Sequence, residues 1–251
     1  MLSSAYSRAW TQVEPDRRFR TLLTRPESYY LRFVKPCFDR SLAAVLLVVL
    51  SPLILLALVL VRATSRGNPI YSQIRLGQGG RLFRIYKIRS MYEDAERGTG
   101  ARWCVPGDPR VTPIGWILRR THIDELPQLW NVLKGDLSLV GPRPERPEIA
   151  QRIELEIPQF SERLAVKPGI TGLAQIQQPP DLEIEDTRRK LALDLAYIET
   201  VCASSDLRIL LGTVLHVLGL SGRSITRLCQ LPSLEEELLE TRLDVPETVS
   251  A

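Results

Sequence analysis

The chain has 251 residues, 44% of them hydrophobic and 25% charged, with four cysteines, two histidines and a formal net charge of +4. That length and apolar content can bury a core for one or two domains, and they exclude disorder of the whole chain. Cys37, Cys104, Cys202 and Cys229 form no CxxC pair and have no histidine nearby in sequence. A zinc site and a disulfide framework are therefore not expected.

Charge is distributed unevenly. Residues 1–40 hold eight Arg/Lys against four Asp/Glu, whereas residues 231–251 hold one against six. The basic arm carries Trp10, Phe19, Tyr29, Tyr30 and Phe33, a mixture that suits nucleic acid or an anionic lipid surface. The segment that follows favours lipid and speaks against nucleic acid, because Ser41 to Val61 is apolar and uncharged. At ~1.5 Å per residue that run makes about 30 Å of helix, enough to cross the hydrocarbon layer. It begins too far along the chain for a secretory signal, so it is expected to stay in the mature protein. Ser51-Pro52 interrupts it: the proline removes a backbone donor, the serine hydroxyl can take up the freed carbonyl, and a bend is expected there. Arg32, Lys35 and Arg40 precede the run and Arg62 and Arg66 follow it. A spanning helix usually shows its Lys/Arg excess on one side. The pattern favours a re-entrant helix-break-helix with both ends in the cytoplasm over a kinked spanning helix.

Residues 69–91, PIYSQIRLGQGGRLFRIYKIRSM, read as two strands joined at Gly77-Gln78-Gly79-Gly80, where glycines supply the positive φ of a tight hairpin. GxGxxG is not met, so this is not a dinucleotide fingerprint. In an extended 82–89, the period of two puts Phe83, Ile85, Lys87 and Arg89 on one face. Two cations on an apolar surface fit either a phosphate grip or a solvated edge.

Residues 119–144, RRTHIDELPQLWNVLKGDLSLVGPRP, place adjacent carboxylates Asp124 and Glu125 ahead of a helix that starts at Pro127 and stops at Gly135. Free N–H groups at such a helix start, with Arg119 and Arg120 nearby, favour ionised carboxylates and attract phosphate. Paired acids can also hold Mg²⁺ through oxygen ligands, or simply cap the helix. Further on, Arg143 is fixed between Pro142 and Pro144, and Lys167-Pro168-Gly169-Ile170-Thr171-Gly172 reads as a turn whose N–H groups can cradle an anion. Beyond it, Leu207, Leu210, Leu211, Val214, Leu215 and Leu218 repeat at helical spacing, on a face that suits core or lipid equally.

The order of these motifs, from roughly Tyr30 to Gly212, resembles the monotopic phosphoglycosyl transferases, bacterial polyprenyl-phosphate sugar-1-phosphate transferases that begin exopolysaccharide, O-antigen and glycoprotein glycan assembly. The resemblance rests on the apolar run with Ser51-Pro52, the YSQIRLGQGGRLFRIYKIRSM block, DPRVTPIGWILRR, IDELPQLWNVLKGDLSLVGPRP and KPGITGLAQI. It implies an α+β, membrane-associated monotopic domain with a re-entrant N-terminal helix, surface amphipathic helices and a small sheet. The implied organisation is a basic extension (1–34), a re-entrant membrane helix (35–66), a catalytic domain (67–228) and an acidic tail (229–251).

The resemblance further implies an enzyme of the bacterial inner membrane, its catalytic domain on the cytoplasmic face. It would transfer a sugar-1-phosphate from a UDP-sugar to undecaprenyl phosphate and release UMP through an aspartyl phosphosugar. By motif match Asp124 is the nucleophile, and Glu125 assists with metal or proton handling. Asp124 and Glu125 hold Mg²⁺, and Lys87, Arg89, Arg119, Arg143, Gly169 and Thr171 contact phosphate or nucleotide. Membrane lipids are partners, and a homo-oligomer is compatible. Two departures bear on specificity: His122-Ile123 replaces the family's usual Ser-Leu, and GLAQIQQPPD lacks the Trp and Asn-Gly-Arg often found there. The competing readings are a membrane-anchored nucleotide-sugar hydrolase and a non-enzymatic membrane adaptor.

Overall fold

A π-helical turn, Tyr30–Val34, runs directly into helix α1, Lys35–Thr64. The computed structural model describes residues 29–95, 104–105, 107–179 and 183–233, so the expectations for Trp10, Phe19 and the acidic tail beyond Ser233 lie outside the described residues. Tyr30–Thr64 is long and apolar enough to cross a membrane. The expected bend at Ser51-Pro52 falls inside one continuous helical element that carries Pro52. The physical reason is local. Pro52 cannot donate to the Val48 carbonyl, and the Ser51 hydroxyl donates to that same oxygen at 2.8 Å.

Both ends of α1 pack on one body; between them Leu46, Leu47 and Leu50 lean on the core while another face is left exposed. Near the start, Lys35, Asp39 and Ala43 are buried; near the end, Ala57 and Val61 are buried against Ile88 and Leu118. Between them Val45, Val48, Val49, Leu55 and Leu56 are exposed. The start is tied down by a buried polar cluster. Lys35 Nζ donates to Asp206 Oδ2 at 2.6 Å, the Tyr30 hydroxyl donates to the same oxygen at 2.6 Å, and the Tyr197 hydroxyl donates to Oδ1 at 2.8 Å. The Ser138 hydroxyl donates to Asp39 at 2.6 Å. The far end is held by Arg89, whose Nη2 donates to the Ser65 carbonyl at 3.1 Å and to its hydroxyl at 2.7 Å.

Strands β1 (Ile70–Leu76) and β2 (Leu82–Ile88) form the expected antiparallel hairpin, in register from Ile70↔Ile88 to Leu76↔Leu82. Gly79 and Gly80 take φ of 62° and 76° at its turn. Helix α2 (Pro113–Arg120) follows, then α3 (Gln128–Lys134), which stops at Gly135 in the left-handed region. A second, parallel sheet pairs β3 (Ser138–Val140) with β4 (Gly169–Thr171). Helix α4 (Pro147–Glu156) lies between those strands in sequence; α5 (Leu173–Gln177), α6 (Ile184–Thr200), α7 (Ala203–Val217) and α8 (Gly222–Cys229) complete the domain. Strand β3 is wholly buried and α6 largely so, as a parallel sheet requires cover. On α7 the apolar repeat divides: Leu210 and Leu215 pack on the core, whereas Leu207, Leu211, Val214 and Leu218 are exposed.

The Lys35–Asp206 pair is buried on both sides, so removing one partner leaves an uncompensated charge. Lys35→Met is expected to cost about 3–5 kcal/mol, read as a lowered denaturation midpoint of the full chain in detergent. An unchanged midpoint would show that the pair does not hold α1.

Candidate active site

Three separated segments meet at Glu125. From β2, Lys87 Nζ donates to Glu125 Oε1 at 2.8 Å. From the segment after β3, Arg143 donates through Nη1 to Oε2 at 3.2 Å and through Nη2 to Oε1. Glu125 itself belongs to a 3₁₀ turn, Ile123–Glu125, entered from His122 at φ 56°, which reverses the chain between α2 and α3. Non-glycine residues seldom adopt that region, histidine more readily than most.

Each arm of this ion triad is braced from behind. Asn131 on α3 is fully buried, accepts from the Tyr86 N–H at 3.2 Å and donates to the Arg84 carbonyl at 2.7 Å. It stands in for a strand partner and fixes β2, hence Lys87, relative to the acid turn. Behind Arg143, Arg163 donates to the Arg143 carbonyl at 2.9 Å while pairing with Asp194 at 2.6 Å, and Arg75 donates to the Pro144 carbonyl at 3.1 Å. Sequence reading missed these braces. Asn131 at a core position of an amphipathic helix was a legible signal; Arg163 and Asp194 carried none.

Asp124 is treated differently from its neighbour. It is 6% exposed and its carboxylate makes no hydrogen bond among the described residues. Burial pushes its pKa up to about 6, the charge of Glu125 adds to the rise, and Lys87, Arg119 and Arg143 oppose it. Glu125 is also penalised by burial, but Arg143 and Lys87 hold it well below the ordinary carboxylate range. Burial lowers Lys87 despite its acidic partner. One acid is thus pinned as an anion and the other left free and harder to ionise.

The expectation is an ionised Asp124; a pKa of about 6 still leaves it mostly ionised at neutral pH, though burial makes ionisation harder than a helix start alone implies. The N–H groups of Glu125, Leu126, Leu129 and Trp130 are spent on the carbonyls three residues back, so burial outweighs any helix-end field.

The other expected residues divide. Arg119 reaches Asp124 electrostatically, but its Nε donates to Ser90 Oγ at 2.7 Å and its Nη1 to Cys104 Sγ at 2.8 Å. It is brought there because α2 sits hard on Ser90: a Cβ on Gly115 would lie 2.0 Å from the Ser90 carbonyl oxygen. Arg89 does not join Lys87. It lies one residue beyond β2 and turns to Ser65, where it braces α1. Gly169 and Thr171 form β4 rather than a turn; the Gly169 N–H donates to the Pro142 carbonyl at 2.9 Å, and the Thr171 hydroxyl pairs with Thr213 at 2.8 Å. Their groups shape the Arg143 loop and are not free to cradle an anion. His122 is exposed, with His216 of α7 beside it at 6.2 Å between ring centroids.

Among the described residues, no three His, Cys, Asp or Glu side chains cluster to hold a metal. The donor set still fits Mg²⁺, which is commonly bound by one or two carboxylates together with substrate phosphates. An ionised carboxylate offers about four lone-pair sites. Lys87 and Arg143 occupy three of those on Glu125, and Asp124 keeps all of its own.

Known proteins align with this arrangement. The family described as bacterial sugar transferase matches residues 30–219. UDP-N-acetylgalactosamine-undecaprenyl-phosphate N-acetylgalactosaminephosphotransferase of Aeromonas hydrophila is 41% identical over 186 residues, 74% of this chain and 44% of that protein. UDP-glucose:undecaprenyl-phosphate glucose-1-phosphate transferase of Caulobacter vibrioides is 41% identical over 182 residues, covering 72% and 68%. The exopolysaccharide production protein PSS of Rhizobium leguminosarum is 38% identical over 192 residues, covering 74% and 95%. The chain thus spans under half of the first relative and nearly all of the third.

The raised pKa of Asp124 has a stability consequence of definite sign. Between the ordinary value of 3.8 and about 6 the folded state holds the extra proton. Stability contributed by this group therefore falls as pH rises through that window, and the penalty persists above it. Asp124→Asn removes the penalty, so the variant is expected to unfold later than the parent at pH 8 by roughly 1–3 kcal/mol. The difference should close by pH 4, as followed by thermal unfolding across pH. A destabilised variant at pH 8 would contradict this account of the carboxyl's environment.

Proposed function

The chain belongs to the bacterial sugar transferase family, and we propose that it transfers a sugar-1-phosphate from a UDP-sugar to undecaprenyl phosphate through a covalent phosphosugar on Asp124. The observation that carries this reading is the unequal pair: Glu125 held by two cations, and Asp124 buried beside it without a hydrogen-bond partner among the described residues. A pinned acid cannot attack, whereas an unpartnered carboxylate with a pKa near 6 is mostly ionised at neutral pH and poorly solvated, as a nucleophile needs to be.

In the first step an Asp124 oxygen bonds to the β-phosphorus, the bond from that phosphorus to the bridging oxygen breaks, and UMP leaves with that oxygen. In the second, an oxygen of the polyprenyl phosphate bonds to the same phosphorus and Asp124 departs as a carboxylate. Dividing the displacement keeps two anionic substrates from having to meet in line at once. Lys87 and Arg143, anchored on Glu125, hold positive charge beside the phosphorus through both steps, and Arg119 adds charge from the α2 side. Asp124 and Glu125 would hold Mg²⁺, which would neutralise the diphosphate.

The acceptor arrives from lipid, and the exposed apolar surfaces support a monotopic seat on the cytoplasmic face of the inner membrane. The outer face of α1 at Val48, Val49, Leu55 and Leu56, Trp116 and Ile117 on α2, and Leu207, Leu211, Val214 and Leu218 on and just beyond α7 are exposed. Thirty residues of α1 extend about 45 Å, yet both its ends rest on the same body. That favours a helix that enters one leaflet and returns over one that delivers its ends to opposite sides.

The test is nucleotide release from the full chain in lipid nanodiscs with Mg²⁺ and a panel of UDP-sugars, with and without undecaprenyl phosphate. Continuous UMP release only with the lipid is the expected result and identifies the donor; without the lipid, UMP is expected to stop at about one per chain. Continuous UMP release without it would favour a hydrolase, and silence across the panel would favour an adaptor. With the active donor, Asp124→Asn is expected to abolish turnover, and the parent rate should fall about tenfold per pH unit below ~6 as the nucleophile protonates.

A further inference from the structure

A cavity of about 450 Å³ opens at the N-terminal base of α1, between that helix, the end of α3, the start of β3 and the segment leading into β4. None of Lys87, Asp124, Glu125 and Arg143 lines it. Its walls are apolar at Leu31, Val132 and Val166 and cationic at Arg32, Arg40 and Lys167.

Arg40 and Lys167 converge. A Cβ built on Gly135 would lie 2.6 Å from Arg40 Nη2 and 3.7 Å from Lys167 Nζ, so the two charged ends approach one point. Neither has an ion pair or hydrogen bond among the described residues. Two carboxylates are close: Asp39, which also lines the cavity, accepts from Ser138 at 2.6 Å with Lys35 at 3.7 Å, and Asp136 pairs with Lys134 at 3.0 Å. Burial lowers the pKa of Lys167 and the charge of Arg40 lowers it further, while Asp39 and Asp136 pull the other way. Two facing cations in a partly apolar hollow are relieved by an anion that accepts from both, and a phosphate group has the oxygens to do so.

We propose that this cavity is a second phosphate site, separate from the Asp124 centre, which binds the headgroup phosphate of an anionic phospholipid between Arg40 and Lys167. A lipid rather than a free anion is favoured by position: Arg40 immediately precedes the apolar run Ser41–Val61, so the headgroup sits at the cavity while its acyl chains follow the exposed face of α1. The proposal rests on the membrane seat described above. The site would fix the depth and angle at which α1 enters the bilayer.

The test uses the full chain in nanodiscs of equal phosphatidylglycerol and phosphatidylcholine, released into native mass spectrometry. The parent is expected to retain phosphatidylglycerol selectively. Arg40→Gln with Lys167→Gln is expected to lower that retention about tenfold or more. A control pair on the hairpin, Arg81→Gln with Arg84→Gln, is expected to leave it unchanged. Equal retention in the Arg40/Lys167 variant, or equal loss in the control, would overturn the site. So would complete displacement of the lipid by millimolar inorganic phosphate, which would assign the cavity to a soluble anion. Flotation of the parent with vesicles of phosphatidylcholine alone is measured in parallel. Flotation without selective retention refutes the lipid site and leaves the membrane seat standing, whereas failure to float refutes the seat.

Discussion

The ion triad Lys87–Glu125–Arg143 is the contact on which the arrangement of this protein turns. It joins the hairpin, the acid turn and the segment after β3 at one point. Buried ion pairs recover their desolvation cost only when geometry and supporting hydrogen bonds are good. Here the support is visible in Asn131 behind the hairpin and in Arg163 with Asp194 behind Arg143. The triad also decides the state of its neighbour. By absorbing the cationic donors, Glu125 leaves Asp124 buried without a partner and adds a like charge beside it, and both effects lift the carboxyl's pKa. The fold keeps that group costly and available, a strain tolerated because its surroundings are fixed.

A second constraint governs the apolar helix. Its first turns are held by Lys35 and the Asp206 cluster and its end by Arg89 on Ser65, so both termini are referred to the body that carries the acids. The Ser51 hydroxyl replaces the donor missing at Pro52 and keeps the Val48 carbonyl satisfied, which matters most where no water is present to substitute. A helix fixed at both ends sets the height of Asp124 relative to the surface formed by α1, α2 and α7.

Local chemistry was legible in the sequence, and long-range pairing was not. Gly79-Gly80 and Pro127 with Gly135 placed the hairpin and α3 to within a residue, because φ preferences act where they are written. The Asp124, Glu125, Lys87 and Arg143 set was also legible, though only the motif order linked its members. The period of two failed at Arg89 because the strand ends at Ile88, and the cation was drawn instead to the end of α1. Gly169 and Thr171 read as a turn, yet they pair as a strand with residues about thirty positions earlier, and the Gly169 N–H is spent on the Pro142 carbonyl. The rise in the Asp124 pKa was not legible for a related reason: local rules describe a helix end, while burial comes from segments distant in sequence.

The measurement closest to the central claim is mass analysis of the full chain after incubation with the active UDP-sugar in the absence of lipid acceptor. The account predicts one added sugar-phosphate per chain, located on the peptide containing Asp124, and its loss with formation of the lipid-linked product once undecaprenyl phosphate is supplied. Turnover proceeding with no adduct, or with an adduct on another residue, would contradict it.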